Sequence, residues 1–172
     1  MPFMKRKFSD YNTFAKTELK DFFTKEQLEG SDTLQATLLE TVYLENDGGG
    51  NFTIKSLPVE AQFTPIYAIE TIDLNGDGHP DLVMGGNLAN SRISVGPYVA
   101  GQGLTLLGDG TGNFSTLSPV LSGLDVRGDM RDISKIDIQG QTYLIFSRYN
   151  GSMMTFGIDR QEAMKFNLAD NQ

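Results

Sequence analysis

The chain has 172 residues, 39% of them apolar, which is enough for one domain with a hydrophobic core or for part of a larger architecture. Its formal net charge of −8 argues against nucleic acid as a partner, because phosphate binding requires basic residues. The chain has no cysteine, which excludes disulfides and thiolate metal sites, and no segment is long and apolar enough to predict membrane insertion.

The N-terminal segment, residues 1–40, is predicted to be helical. MPFMKRKF is basic but continues into polar SDYNT, so no signal peptide is expected in this chain. Apolar residues over 8–29 recur at spacings of three and four, with Ser9 as a candidate N-cap. Thr24 and Gln27 have the spacing of a capping box for a second short helix. We therefore expect a helical pair.

From residue 41 to residue 158, the sequence consists of short β-rich runs separated by glycine, asparagine, aspartate or proline. Examples of these runs are TVYLE, FTIKSL, YAIETID, DLVMGG, LTLLGD, DISKIDI, TYLIFSRY and MMTFGI. Many short strands at regular spacing predict a mainly β fold. Residues 159–172 are assigned to a C-terminal tail.

The β-rich region contains an internal repeat. DGGGNF at 47–52 returns as DGTGNF at 109–114, an offset of 62 residues. Ile69 aligns with Ile133 at an offset of 64, and Leu82 aligns with Leu144 at an offset of 62, so the later copy has a shorter turn. Repeats of this kind are typical of β-propellers and other repeat arrays.

The repeat predicts propeller-type blades, about two and a half four-stranded units in all. The complete blade is expected at about residues 66–119. Residues 41–58 are the last two strands of the preceding blade, and residues 126–158 are about three strands of the next. Edge strands left open at the two ends favour a homo-oligomer or pairing with further blades.

The run DLNGDGHPD, residues 73–81, has the spacing of a calcium loop. Asp73, Asn75, Asp77 and Asp81 fall at loop positions one, three, five and nine, and the backbone carbonyl of His79 falls at position seven. Oxygen donors at this spacing suit calcium, which takes six to eight oxygen ligands. The sequence therefore predicts calcium as the cofactor.

The same run could also belong to an EF-hand or to a turn that binds no metal. An EF-hand requires a glutamate at position twelve and a helix on each side, but position twelve is Met84 and the flanks are predicted strands. The remaining alternative is an Asx-rich hairpin turn without metal. The corresponding run in the next copy, residues 137–140, lacks these donors and is not expected to bind calcium.

The run YAIETIDLNGDGHPDLVMGGN followed by GLTLLGDGTGNF resembles the FG-GAP or VCBS repeats of integrin-α-type β-propellers. The resemblance covers about residues 41–158. It is strongest to the C-terminal blades of large exported bacterial repeat proteins, in which YLEN, a glycine turn, LPxEAQF, the calcium loop and LLGDGxGNF follow in this order. The Phe-Gly and Gly-Ala-Pro signatures that name the repeat are not present as such.

This resemblance implies calcium-ligand roles for Asp73, Asn75, Asp77, His79 through its carbonyl, and Asp81. It also implies an extracellular or cell-surface location. The long segment between Asn87 and Gly103 is the best candidate for a ligand surface. It contains Arg92, Tyr98 and Gln102, residue types that stack on or hydrogen-bond to sugars and peptides. The alternative is a packed loop that seals the blade.

The expected function is a non-catalytic, calcium-stabilised binding module that presents loops to a protein or glycan partner. The only histidine lies inside the calcium loop, and no pair of carboxylates has a catalytic signature, so we expect no enzyme. Two alternatives stay open: an accessory or catalytic domain of a polysaccharide-degrading system, and a structural element that completes a larger propeller. The RGD tripeptide at residues 127–129 is interpreted as coincidental.

Overall fold

The computed structural model describes residues 6–8 and 10–159, and the chain divides into two compact units, Met1–Leu39 and Glu40–Gln172. The described residues of the first unit include the short helices α1 (Tyr11–Ala15), α2 (Leu19–Phe22) and α3 (Lys25–Leu28). No helix among the described residues has both the length and the apolarity needed to cross a membrane.

The expected helical pair is wrong in number, because the first predicted helix is broken into two. α1 ends at Ala15, and the Glu18 backbone N–H donates to Asp21 Oδ2 at 3.1 Å in a capping box that starts α2. A capping box satisfies backbone N–H groups at a helix N-terminus and so begins a new helix. The apolar spacing alone does not reveal this break.

The other two helices, α1 and α3, each begin at a residue whose side chain caps the helix N-terminus. The Thr24 and Gln27 capping box of α3 is present, with the Thr24 N–H donating to Gln27 Oε1 at 3.0 Å. Ser9 lies outside the described residues, and Asp10 caps α1 by accepting the Thr13 N–H at 2.8 Å.

The described part of the second unit is mainly β, as predicted, and forms three antiparallel sheets. β1 (Val42–Gly48) and β2 (Asn51–Ser56) form a hairpin. The middle sheet has the order β3 (Ile66–Ile72), β4 (Asp81–Gly86), β5 (Leu104–Gly108) and β6 (Phe114–Leu117). The third sheet has the order β7 (Met130–Ile138), β8 (Gln141–Arg148) and β9 (Met154–Gly157). A 3₁₀ helix (Val59–Gln62) follows β2, and α4 (Pro119–Ser122) follows β6.

The internal repeat is visible in how the strands pair. Ile69 lies opposite Met84, and Ile133 lies opposite Phe146, in each case after a register shift near the start of the hairpin. These are the offsets of 64 and 62 residues found in the sequence. The outer hairpins repeat as well, since Asn46 pairs with Phe52 and Gly108 pairs with Phe114.

The four-stranded sheet is the middle layer and has a hydrophobic core on each face. Side chains alternate along a strand, so the neighbours Val83 and Met84 point to opposite faces. Met84 packs with Leu57 and Ala61 in the core next to the β1–β2 hairpin. Val83 packs in a second core with residues of the third sheet, including Phe146. Burial on both faces explains why DLVMGG is apolar almost throughout.

Candidate metal centre

The loop predicted to bind calcium joins β3 to β4, and the two strands close around it with Ile72 opposite Asp81. In the next copy of the repeat, β7 and β8 are joined by the two residues Gln139 and Gly140, both with positive φ. A two-residue turn of this kind is sufficient to reverse the chain. The longer loop at 73–80 is therefore an addition that the hairpin itself does not need.

Asp81 is the buried anchor of this loop. Its side chain is fully buried at the start of β4. The Leu74 N–H donates to Asp81 Oδ2 at 2.8 Å, and the Gly108 N–H donates to Asp81 Oδ1 at 2.9 Å. One carboxylate thus ties the beginning of the loop to its end and to the neighbouring strand β5.

The charge on Asp81 is poorly compensated. Burial raises the pKa of its carboxyl group, the N–H groups of Gly108 and Leu74 act in the opposite direction, and the nearby carboxylates of Asp77 and Asp73 raise it further. No lysine or arginine of the described residues forms an ion pair with it. A cation held in the loop would offset the cost of this buried charge.

The other predicted side-chain ligands are turned toward backbone N–H groups of the loop. Asp73 accepts the Gly76 N–H at 2.7 Å and the Gly78 N–H at 3.1 Å. Asp77 Oδ1 accepts the His79 N–H at 2.8 Å, and its other oxygen accepts the Asn75 amide at 2.9 Å. These are Asx-turn hydrogen bonds, which fold the loop without any metal.

The loop has donors of the type that a cation needs, but their side chains are not gathered around one point. Over the described residues, no three His, Cys, Asp or Glu side chains come together as a metal site would require. The chemical type of the donors does suit calcium, since the loop carries three carboxylates and one amide. An ionised carboxylate has about four acceptor positions, so the hydrogen bonds to Asp73 and Asp77 leave further acceptor capacity on the same oxygens.

His79 is exposed, and its ring lies against the β5–β6 turn. A Cβ atom placed on Gly110 would come within 2.3 Å of its Nδ1 atom, so only a glycine lets the ring approach this closely. The loop residues and the DGTGNF turn are thus in contact. The sequence predicts a role for the His79 carbonyl but gives no sign of this contact of its ring.

Gly108 is the site residue that sequence reasoning missed. Besides binding Asp81, it lies so close to the end of the loop that an added Cβ would be 2.3 Å from the Pro80 carbonyl oxygen. The only signal in the sequence is the glycine near the end of the strand run LTLLGD, directly before DGTGNF. Its role is in the strand, where it lets the loop approach β5.

The predicted ligand surface, residues 87–103, is anchored at several points. Tyr98 pairs with Leu88 through two backbone hydrogen bonds of 2.7 and 3.0 Å, and its side chain is 43% exposed. The Gln102 carbonyl accepts the Val126 N–H at 2.8 Å. The side chains of Arg92 and Gln102 are exposed. The segment is therefore tied down as a sealing loop would be, while all three candidate side chains reach its surface.

Asn87 is a second residue whose role was missed. It is fully buried with a φ of 85°, and its side chain makes four hydrogen bonds. Its amide donates to the carbonyls of Gly101 and Gly128, and its Oδ1 accepts from Thr64 Oγ1 and the Gly101 N–H. It fixes both ends of the long segment to the sheet.

The RGD tripeptide is not presented as an adhesion motif. Asp129 is 5% exposed, and its carboxylate accepts the Ala89 N–H at 3.0 Å and pairs with Arg131 at 3.3 Å. Arg131 also lies over the ring of Tyr67, 4.4 Å from its centre. The aspartate that a receptor would need is inside the protein, in agreement with the interpretation of the tripeptide as coincidental.

No family model, no curated protein and no solved structure matches this chain. The residues of the loop and of the sheets are therefore the basis for any proposal about function.

Proposed function

We propose that this chain is a calcium-stabilised, propeller-type module of the FG-GAP or VCBS kind. In this proposal, calcium is held by Asp73, Asn75, Asp77, the His79 carbonyl and Asp81. The module is non-catalytic, works outside the cell or at its surface, and presents the segment 87–103 to a protein or glycan partner.

The burial of Asp81 is the observation that supports this proposal best. A carboxylate without an exposed face is costly unless a positive charge or several hydrogen-bond donors compensate it. The backbone donors of Leu74 and Gly108 compensate it in part. The nearby carboxylates of Asp77 and Asp73 add negative charge to the same loop, and a bound cation would offset it.

The chemistry that calcium supplies here is structural. Asp81 links the loop to β5 through Gly108. An ion bound to Asp81 would therefore stiffen the end of the middle sheet at which the loop lies. The loop contacts the DGTGNF turn through His79, and the two connections lie at the same end of the sheet. Rigid sheets of this type hold long loops such as 87–103 in a fixed conformation.

A thermal melt with about 10 mM calcium and then with chelator tests the proposal. A ligand at a hundredfold excess over its Kd adds about 2.7 kcal/mol to the free energy of unfolding. For a chain of this size, that corresponds to a rise in Tm of about 5–11 °C. Asp77→Ala removes one ligand and should lose most of this rise.

The repeat offers a matched control for this experiment. Asp137 occupies the position of Asp73 in the next copy, and it accepts a hydrogen bond from Thr142 instead of facing a loop. Asp137→Ala should therefore retain the full calcium-dependent rise. If calcium leaves the Tm of the unmodified protein unchanged, the loop is an Asx turn and the calcium proposal is wrong.

A second candidate function, a structural element that completes a larger propeller, has its own support. Leu44, Phe52 and Ile54 share the face of the β1–β2 hairpin opposite to the core and are 53–58% exposed. On β7, Ile136 and Ile138 are likewise 42% and 51% exposed. Both end layers thus carry apolar side chains of the kind that pack against a further sheet.

A further inference from the structure

A cavity of about 290 Å³ lies between the four-stranded sheet and the three-stranded sheet. Its wall is mainly apolar and comes from both sheets, with Val83, Leu107 and Leu117 on one side and Leu144 and Phe156 on the other. Close-packed interiors leave few voids larger than a water molecule. The volume is instead near the lower end of the range for small-molecule sites.

The wall of this cavity is held in a defined position. Leu74 and Asn75 of the loop form part of it, and the Leu74 N–H is bound to the buried carboxylate of Asp81. Val83 and Leu144 are almost completely buried in their strands. Because these residues belong to sheets and to an anchored loop, the cavity is preformed and needs no rearrangement to accept a ligand.

Among the described residues that line the cavity, the ionisable side chain is that of Asp159, and the other polar side chains are neutral. Thr105 and Asn75 line it and are 4% and 6% exposed, and Asp159 lies at its exposed rim. None of the described residues that line it is lysine, arginine or histidine. Such a site favours a ligand whose polar group is neutral or positive, and it disfavours an anion.

We propose that this cavity binds a compact apolar molecule, the size of one aromatic ring or a branched alkyl group, with a neutral or cationic head group. The ring enters between Leu117, Leu144 and Phe156, and the head group lies toward Asp159 at the rim. This site is separate from the segment 87–103. It does not rest on calcium, because Asp81 fixes Leu74 through a hydrogen bond within the protein.

Three probes with the same ring test the site: benzyl alcohol, benzylamine and benzoate. Each is titrated into the full chain while the NMR signals of the Phe156 ring and the Leu144 methyl groups are followed. We expect saturable shifts with a Kd of about 1 mM for the alcohol and the amine, a reasonable affinity for ligands of this size. Benzoate should bind at least about tenfold more weakly than benzylamine, because the rim carries a carboxylate.

Two substitutions in α4 separate the cavity from the surrounding surface. Leu121 lines the cavity and is 46% exposed, so Leu121→Phe should fill part of it and abolish the shifts while the protein stays folded in a thermal melt. Val120 is 92% exposed and does not line the cavity, so Val120→Phe should bind the probes normally. Asp159→Asn should bring the Kd of benzoate to within about threefold of that of benzylamine.

Several results would overturn the proposal. One is the absence of saturable shifts with all three probes, and another is unchanged binding in Leu121→Phe. Equal binding of benzoate and benzylamine would show that the rim does not select charge. The titrations are made with calcium and with chelator, so a failure of the calcium proposal in the melts stays distinct from a failure here.

Discussion

Asn87 shows how much one polar side chain can organise in this protein. It is buried where β4 ends, and its four hydrogen bonds reach Thr64, Gly101 and Gly128, three separate parts of the chain. Its positive φ lets the backbone leave the strand in the direction of the long segment. Replacing it removes both the hydrogen bonds and a residue type that tolerates this conformation.

The substitution Asn87→Ala should lower the free energy of unfolding by about 2–3 kcal/mol, because it removes four hydrogen bonds and takes this partner from the hydroxyl group of the buried Thr64. Asn87→Gly removes the same hydrogen bonds but relieves the backbone, so it should lose about 1 kcal/mol less. Urea denaturation measures both. A loss below about 1 kcal/mol in Asn87→Ala would mean that water replaces the side chain.

Gly108 is the second residue with a prediction of its own. In Gly108→Ala, the new methyl group would lie 2.3 Å from the Pro80 carbonyl oxygen and 3.2 Å from the Phe114 ring. The backbone has to move, which should cost about 1–3 kcal/mol in a denaturant melt. Gly151→Ala is the control, since its nearest neighbours are Arg148 side-chain atoms at 3.4 Å, and its effect should stay within about 0.5 kcal/mol.

Among the structural elements, the β5–β6 turn is held together by hydrogen bonds to the carboxylate of Asp109. Asp109 accepts hydrogen bonds from both the backbone and the side chain of Thr111 and of Asn113, at 2.8–3.2 Å. The Asn113 side chain, followed by the Thr111 backbone N–H and hydroxyl, lowers the pKa of the Asp109 carboxyl group well below its usual range. The turn thus favours the charged form of this aspartate.

This shift predicts how the turn responds to acid. The folded pKa of Asp109 is below the unfolded value of about 3.9, so its contribution to stability is present above that pH and is lost as the pH falls toward the folded pKa. Asn113→Ala removes the largest cause and should raise the pKa of Asp109, as measured by carboxyl ¹³C NMR between neutral pH and strong acid. Asn51→Ala changes the same position of the β1–β2 turn and should leave the Asp109 titration unchanged.

In the whole molecule, the exposed apolar faces of the two end layers predict that the chain associates with further sheets. If Leu44, Phe52 and Ile54 pack against further sheets, the chain should associate at micromolar concentration in analytical ultracentrifugation. Replacing all three by threonine, a more polar residue that strands favour, should shift the population to monomer. A monomer at all concentrations would count against the assembly function.

A single substitution on the other face of β2 is the control for this measurement. Thr53 alternates with Phe52 and Ile54 on β2 and donates to Asp47 across the hairpin. Thr53→Ala leaves the apolar face unchanged, so it should sediment as the unmodified protein does. Equal effects of both changes would indicate general loss of the hairpin fold and contradict a specific role for the apolar face.

The sequence by itself determined the strands and most of their boundaries. Alternating apolar runs and glycine-rich turns are local signals. The 62-residue repeat predicts a four-stranded unit at about 66–119, where the structure has the four-stranded sheet with Ile69 opposite Met84. It also located the loop 73–81, because donor spacing is a property of the chain alone. The helical pair was wrong because capping at Glu18 competes with the apolar periodicity.

Only the tertiary structure decided which residues meet at the loop and at the long segment. The burial of Asp81, its bond to Gly108 and the approach of Gly108 to Pro80 depend on β5 lying beside β4, a contact between residues far apart in sequence. The same holds for Asn87 and Gly128, and for the cavity between two sheets. Local spacing cannot encode such contacts, because they arise from how the layers pack and not from any one segment.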